Sequence, residues 1–237
     1  MDNFFSTDNI LFRILGRIVD IFLLNLFWLI CSIPIVTIGA STTALYYTAM
    51  KAIKLEEGYI AKRFFKSFKE NFKQSTLLWL VCLLAGGVFG FDLLFSIAGK
   101  DQFYGKPFMF IFTIIVCLYV FTMIYVFPLQ AKFKNSIKGT LKNAFLLSIK
   151  NFPWTLLMVL IIALIVFLLF ASPIFGVLMI LMGMGSFAYL TAFIFMHIFK
   201  PFLPKERPVT DEEYHSPEEP VLAETDEIEK SGEIAEE

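Results

Sequence analysis

Five long apolar stretches, separated by loops whose basic residues gather on one side, confine this chain to a bundle of membrane-crossing helices. The stretches run Ile18–Ile38, Thr76–Ile97, Phe108–Phe127, Trp154–Ala171 and Ile174–Phe199. An α-helix rises about 1.5 Å per residue, so about 20 apolar residues cross a hydrocarbon core about 30 Å thick. Each stretch reaches or approaches that length, and none holds more than one formal charge. The predicted fold class is therefore all-α: a polytopic integral membrane protein of about five transmembrane helices, with a cytoplasmic amphipathic helical hairpin.

Composition agrees. The chain is 57% hydrophobic and contains 29 Phe, more apolar surface than a soluble domain of 237 residues hides. The net charge of −1 averages two opposite regions. Residues 1–203 carry 17 Lys and Arg against 8 Asp and Glu, whereas residues 204–237 carry 3 against 13. The expected division is a membrane domain over 1–203 and a disordered, acidic cytoplasmic tail over 204–237, since charge and proline oppose a packed core. Such an arm also has the sign to visit the basic loops. Cys31, Cys82 and Cys117 each fall inside a predicted span and read as small hydrophobes. The first span is expected to be retained, because Ile33-Pro34-Ile35-Val36 lacks a small-x-small cleavage pattern.

The loops give an orientation. With five spans, the side that holds the N-terminus carries Arg13, Arg17, Lys100 and Lys106. The other side carries Lys51, Lys54, Lys62, Arg63, Lys66, Lys69 and Lys73 in loop 39–75, five lysines in loop 128–153, and Lys200, Lys205 and Arg207. The positive-inside rule places that second side in the cytoplasm. The expected location is a bacterial plasma membrane, with the N-terminus outside and the C-terminus inside. Arg13 and Arg17 resist this assignment but are outnumbered.

Between the spans, residues 1–17 read as an amphipathic lead-in, Ser41 or Thr42 as the cap of a helix running to about Leu55, and Glu56-Glu57-Gly58 as a turn. Residues 59–73 form the clearest amphipathic element. Ile60, Ala61, Phe64, Phe65, Phe68 and Phe72 share one face, and Lys62, Lys66, Lys69 and Lys73 share the opposite one. This helix is expected to lie in the interface against anionic lipid, or to dock a cytoplasmic partner, with Lys62, Lys66, Lys69, Lys73, Phe64 and Phe68 as the contact residues. The chain also echoes itself. Pro34 and Pro128 end spans one and three, basic segments follow each, and Ser67–Phe72 and Ser148–Phe152 lead into spans two and four. Two parallel hairpins, with span five left over, give this pattern.

Charges inside hydrocarbon are costly unless they pair, protonate or reach the interface. Arg13, Arg17, Asp20 and Asp92 form the candidate intramembrane polar cluster, with Asp20 and Asp92 expected at similar depth on neighbouring helices. It reads either as a lock between spans one and two or as a cation-linked carboxylate pair. Asn25 is placed to bond across helices. Gly86 and Gly90 form a GxxxG, and Gly183 and Gly185 suggest a second close contact or a flexible point. Met179, Met182 and Met184 read as adaptable packing. His197 and His215 lack partners at zinc-ligand spacing. No P-loop, GxSxG, HExxH or dinucleotide-binding glycine pattern is present. No enzyme activity, cofactor, metal or nucleic-acid partner is expected.

At Pro34-Ile35-Val36-Thr37-Ile38-Gly39-Ala40-Ser41-Thr42-Thr43-Ala44-Leu45-Tyr46-Tyr47 the sequence resembles the YesL family of bacterial membrane proteins. The likeness continues through Glu57-Gly58-Tyr59 and Phe64–Thr76, and beyond residue 76 is mainly one of hydropathy. The resemblance implies a domain of unknown function, found mainly in Gram-positive bacteria and often encoded near carbohydrate ABC transporters and two-component sensors. It implies no catalytic or binding residues. Two functions are in view. One is an accessory or permease-like component of carbohydrate uptake or its sensing, partnered by lipid and by an ABC transporter component or a sensor kinase. Glu57-Gly58 followed by Phe64 only faintly matches the ATPase-coupling loop of ABC permeases, whose Glu-Ala-Ala portion and closing Pro are absent. The other is an independent small-solute transporter or channel using Asp20 and Asp92. A homo-oligomer is compatible with either.

Overall fold

The computed structural model describes residues 10–54, 59–99 and 105–202. Among them the chain is helical with no strand. Helix α1 covers Ile10–Ser32, α2 Ile38–Lys54, α3 Ile60–Ala98, α4 Gly105–Lys132, α5 Ile137–Lys150, α6 Phe152–Ala171, α7 Pro173–Leu178 and α8 Met184–Phe199. Five helical segments are long and apolar enough to cross a membrane: Leu15–Ser32, Ile60–Ala98, Lys106–Lys132, Phe152–Ala171 and Pro173–Phe202. The all-α polytopic membrane architecture read from the sequence is the one observed. The acidic tail, the Glu56-Glu57-Gly58 turn and the first nine residues lie outside the described residues.

Helix α1 stops at Ser32, six residues before the apolar stretch does. Pro34 is extended (φ −75°, ψ 118°), and a proline disfavours helix at the residue before it. A short tight turn follows at Ile35–Thr37. The Thr37 hydroxyl lies 2.6 Å from the Cys31 carbonyl and 2.7 Å from that of Pro34, which ties the break together.

Helix α2 is the largest departure from the sequence reading. A helix running to about Leu55 was expected there, but within a basic cytoplasmic loop. Instead Ala40, Ser41, Thr43, Ala44, Leu45, Thr48 and Ala49 are wholly buried, packed among α1, α3 and α4. Ser41 and Thr42 sit inside the helix rather than at its cap. The reason is size. A Cβ on Gly39 would collide with the Ser75 carbonyl and stand 2.5 Å from the Trp79 Cβ, so the α2 and α3 backbones touch there. The hydroxyls are satisfied locally. Ser41 bonds Ser32 at 2.6 Å, Thr43 donates to the Gly39 carbonyl at 2.9 Å, and Thr48 donates to that of Ala44 at 2.8 Å. Trp28 of α1 donates to Thr42 at 3.1 Å.

Helix α3 is continuous for 39 residues, about 58 Å at 1.5 Å per residue. The amphipathic segment and span two are one helix. The expectation that residues 59–73 lie flat in the interface fails for that reason: the lysine-bearing half shares its axis with the apolar half. Its aromatic face is covered in part instead, Phe64 being fully buried against Phe27 of α1 at 5.8 Å between ring centroids. Helices α2 and α3 make an antiparallel hairpin in which Gly39 meets Ser75 and Trp79, and Tyr47 faces Arg63 and Glu70.

Helix α4 returns along α3, with Trp79 against Phe127 and the Tyr119 hydroxyl donating to the Cys82 carbonyl at 2.8 Å. It runs through Pro128 to Lys132, so that proline does not end it. Ser136 caps α5 by accepting the Gly139 amide at 3.2 Å, and α5 folds back on α4 through Thr140 and Gln130 at 3.1 Å. Thr155 joins α4, α5 and α6. It takes the Tyr125 hydroxyl at 2.8 Å and lies 2.8 Å from the Ser148 carbonyl. The internal echo survives as an order of elements. Helices α1–α2–α3 and α4–α5–α6 each read span, shorter folded-back helix, span. The joints differ, because Ser67–Phe72 lies inside α3 whereas Ser148–Phe152 crosses the break between α5 and α6 at Asn151.

Candidate functional site

Lys62, Lys66, Lys69 and Lys73 all point away from the bundle and are exposed on the amino-terminal half of α3. The i, i+4 pair of Lys66 with Glu70 is 4.0 Å long with both side chains more than half exposed, too weak to fix either group. Beside the lysines, Phe68 and Phe72 meet edge to face at 5.4 Å and help line a shallow depression of about 310 Å³ with Lys69, Glu70 and Lys73. Of the two phenylalanines expected at a docking surface, Phe64 is removed by burial, while Phe68 stays half-buried at its edge. Phe65 and Phe72 are the exposed rings. Behind this face, burial pushes the Tyr47 hydroxyl up, Glu70 adding to the effect and Arg63 opposing it.

Sequence reasoning passed over Tyr59. It precedes α3 in the left-handed region (φ 88°) and is 72% exposed. A bulky side chain held there costs of order 1–3 kcal/mol, and residues of this kind cluster at functional sites. The position lies in the Glu57-Gly58-Tyr59 motif, where a glycine would be the ordinary choice.

The polar cluster divides. The Arg17 guanidinium donates to the Ala52 carbonyl, in the last turn of α2, and to the Tyr189 hydroxyl, and stands 6.0 Å over the Tyr189 ring. A cation at a helix C-terminus is favoured by the helix dipole. Arg17 thus ties α1 to α2 and α8, a lock of the expected kind with different partners. Asp20 is one turn further along α1. Arg13 is also in α1, but its side chain lies outside the described residues. Asp92 is elsewhere. Phe27 meets Phe64 and Phe65, and Ile35 accepts from Trp79 at 2.9 Å, so α1 and α3 run in the same direction at their contact. Along α3, Asp92 lies about 40 Å beyond Phe65, whereas Asp20 lies about 10 Å before Phe27 on α1. The two carboxylates do not share a depth and do not form a pair.

Asn25 does bond across helices. It is 1% exposed, and its partners are backbone groups in the middle of span five. Gly185 is the close contact anticipated there, since a Cβ on it would collide with the Ile21 carbonyl. The Gly86–Gly90 motif is only half used. A Cβ on Gly86 would stand 2.6 Å from the Tyr119 hydroxyl, while Gly90 faces open space. Among the described residues, no group of three or more His, Cys, Asp or Glu could hold a metal ion. His197 meets the Trp154 ring at a tilt, 5.7 Å between centroids.

The structure defines a helical membrane protein whose longest helix, α3, carries an exposed lysine face over its amino-terminal half. The family model described as "Protein of unknown function, DUF624" matches residues 21–93, which take in most of α1, all of α2 and most of α3. That is the YesL-type domain family, whose function is unknown. No curated protein and no solved structure matches the chain.

Proposed function

We infer that this protein is an integral membrane accessory component whose α2–α3 hairpin docks a cytoplasmic partner through the lysine face of α3. One observation carries the reading. Ile60, Phe64 and Ser67 are already buried against the bundle, so the four exposed lysines, the exposed Phe65 and Phe72 rings and the Phe68–Phe72 depression are what this part of α3 offers to another molecule. A row of lysines about 4.5–6 Å apart along a continuous helix suits an acidic protein surface, and the exposed rings supply apolar anchors of the kind that concentrate binding energy. The resemblance to the YesL family, often encoded near carbohydrate ABC transporters and two-component sensors, favours a role in carbohydrate uptake or its sensing, and the partner we propose is an ABC transporter component or a sensor kinase. The charge asymmetry of the loops supports a bacterial plasma membrane location with the lysine-bearing half of α3 and the C-terminus in the cytoplasm.

A transporter built on Asp20 and Asp92 finds no support in the geometry, since the two stand far apart along the bundle. The test of docking is replacement of Lys62, Lys66, Lys69 and Lys73 by Gln in the native host. Co-purification of the partner should fall at least tenfold while expression and helicity persist. Undiminished recovery of the partner overturns the docking surface. Labelling from outside intact cells of a cysteine placed at Lys69 overturns the cytoplasmic assignment.

A further inference from the structure

Span five is interrupted where its own sequence does not require it. No proline lies between Pro173 and Pro201, yet Met179–Gly183 forms a wide π turn between α7 and α8. Such a turn holds one residue more than an α turn and disturbs the regular backbone pairing around it. In a bilayer, backbone groups left without partners are strongly disfavoured. Asn25 of α1 meets that need from outside the helix. Its Nδ2 donates to the Ile180 carbonyl at 2.8 Å, and its Oδ1 accepts from the amides of Met184 at 3.0 Å and Gly185 at 3.1 Å. A single side-chain amide, carrying both donor and acceptor, thereby spans the turn.

The two sides of the turn are anchored very differently. Helix α8 is fixed to the bundle by Gly185 against Ile21, Tyr189 with Arg17, and Thr191 with Tyr46 at 3.3 Å. Helix α7 buries none of its residues, and Ile174, Val177 and Leu178 are exposed. Rotation of α7 about its own axis exchanges one apolar, lipid-facing side chain for another. The notch at Gly183 is occupied by the flexible Met179 side chain, which can move aside.

We propose that Asn25 and the π turn form a two-state joint in span five. In the latched state Asn25 holds the wide turn. In the released state the turn closes to α geometry, Asn25 lets go, and α7 rotates by about 100°, one residue's worth of an α-helix. The surplus residue is taken up at the extended Ser172. The joint links the α6–α7 connection to α1, and through Arg17 to the end of α2.

A deletion separates this from simple packing. Removing one residue of a π turn restores a regular helix while keeping the relative orientation of the two sides. Leu181, exposed within the turn, is the residue to delete. Nitroxide labels on Val177→Cys and Leu190→Cys, in full-length protein whose Cys31, Cys82 and Cys117 are replaced by Ala, report the rotation by electron spin distance measurement. Asn25→Leu should shift the distance by about 5 Å or more, given a rotation of about 100°. Deleting Leu181 from the Asn25→Leu protein should return it to the native value. An unshifted distance in Asn25→Leu, or a deletion that fails to restore it, overturns the joint. If Asn25→Leu alone does not fold, rescue of folding by the deletion supports the proposal, and failure to rescue overturns it.

Discussion

Helices α2 and α6 invert the rule that governs soluble proteins. Helix α2 is rich in Ala, Ser, Thr and Tyr and is the most thoroughly buried segment of the molecule. Helix α6 is mostly Leu, Ile, Val and Phe, yet buries only Thr155 and Met158 and leaves Phe170 88% exposed. Lipid tails are as apolar as leucine, so a bilayer offers no reason to hide an aliphatic side chain. What draws helices together there is close approach of small residues and satisfaction of hydroxyl groups. The stretch Pro34–Tyr47, which carries the resemblance to a known family, therefore reads as the packing core of the bundle rather than as a binding motif. The matched region, residues 21–93, contains all of α2 and ends before α4.

Two substitutions break the comparison most sharply if it is wrong. Gly39→Leu drives a side chain into the Ser75 carbonyl and the Trp79 Cβ, both backbone or near-backbone atoms that cannot swing away. It should destabilise the protein by about 3 kcal/mol or more, at or beyond the upper end for overpacked cores. Leu164→Ala on α6, at a position 56% exposed, should change stability by no more than about 0.5 kcal/mol. Reversible denaturation in mixed detergent micelles compares the two. Comparable losses would mean that α6 is covered by protein rather than lipid.

A smaller effect is expected where hydroxyls rather than backbones hold the helices. The Tyr125 and Thr155 hydroxyls pair at 2.8 Å, and the Tyr125 ring meets Phe195 edge to face at 5.3 Å. Tyr46 also meets the Phe195 ring, at 5.8 Å, and its hydroxyl pairs with that of Thr191 at 3.3 Å, and burial pushes it up to about 12. It therefore stays protonated across the physiological range. Tyr125→Phe keeps the ring and removes the hydroxyl, so the loss should be about 0.6–1 kcal/mol, between the average for interhelical bonds in membranes and that for hydrogen bonds in general. A loss as large as that of Gly39→Leu would place the hydroxyl network, not close packing, at the centre of the fold.

Hydropathy made the five spans legible because crossing a bilayer is a demand on length and composition alone. It overran α1 by six residues, since an average over a window does not see that Pro34 excludes helix at Ile33. It left α2 in solvent because the scale scores Ser, Thr and Tyr as polar, with no account of hydroxyls that bond within their own helix, as Thr43 and Thr48 do. The lysine face of α3 was legible from its period, and so was the existence of an interhelical bond at Asn25. The identity of Asn25's partners was not, because a π turn is a property of backbone pairing and leaves no mark in composition. The pairing of Asp20 with Asp92 was inferred from a common distance to span ends. It failed because α3 extends well before its apolar part and sets its own register against α1.

The finest distinction lies within one motif. Gly86 and Gly90 are four residues apart on α3, and a sequence rule treats them alike. The Tyr119 ring occupies the space over Gly86, and its hydroxyl is held by the Cys82 carbonyl at 2.8 Å. Gly86→Ala must move that ring and break that bond, at a cost of about 1 kcal/mol for one lost hydrogen bond with its packing. Gly90 has nothing within reach of a new Cβ. Gly90→Ala should be neutral or stabilising by up to about 1 kcal/mol, because alanine surrenders less backbone freedom in a helix. The same denaturation measurement decides between them. Equal losses at both positions would show that the Gly90 face of α3 is covered in the membrane by a second copy of the chain or another helix. A loss at Gly86 alone leaves that face to lipid and confines close helix approach to the contacts around α2, Tyr119 and Gly185.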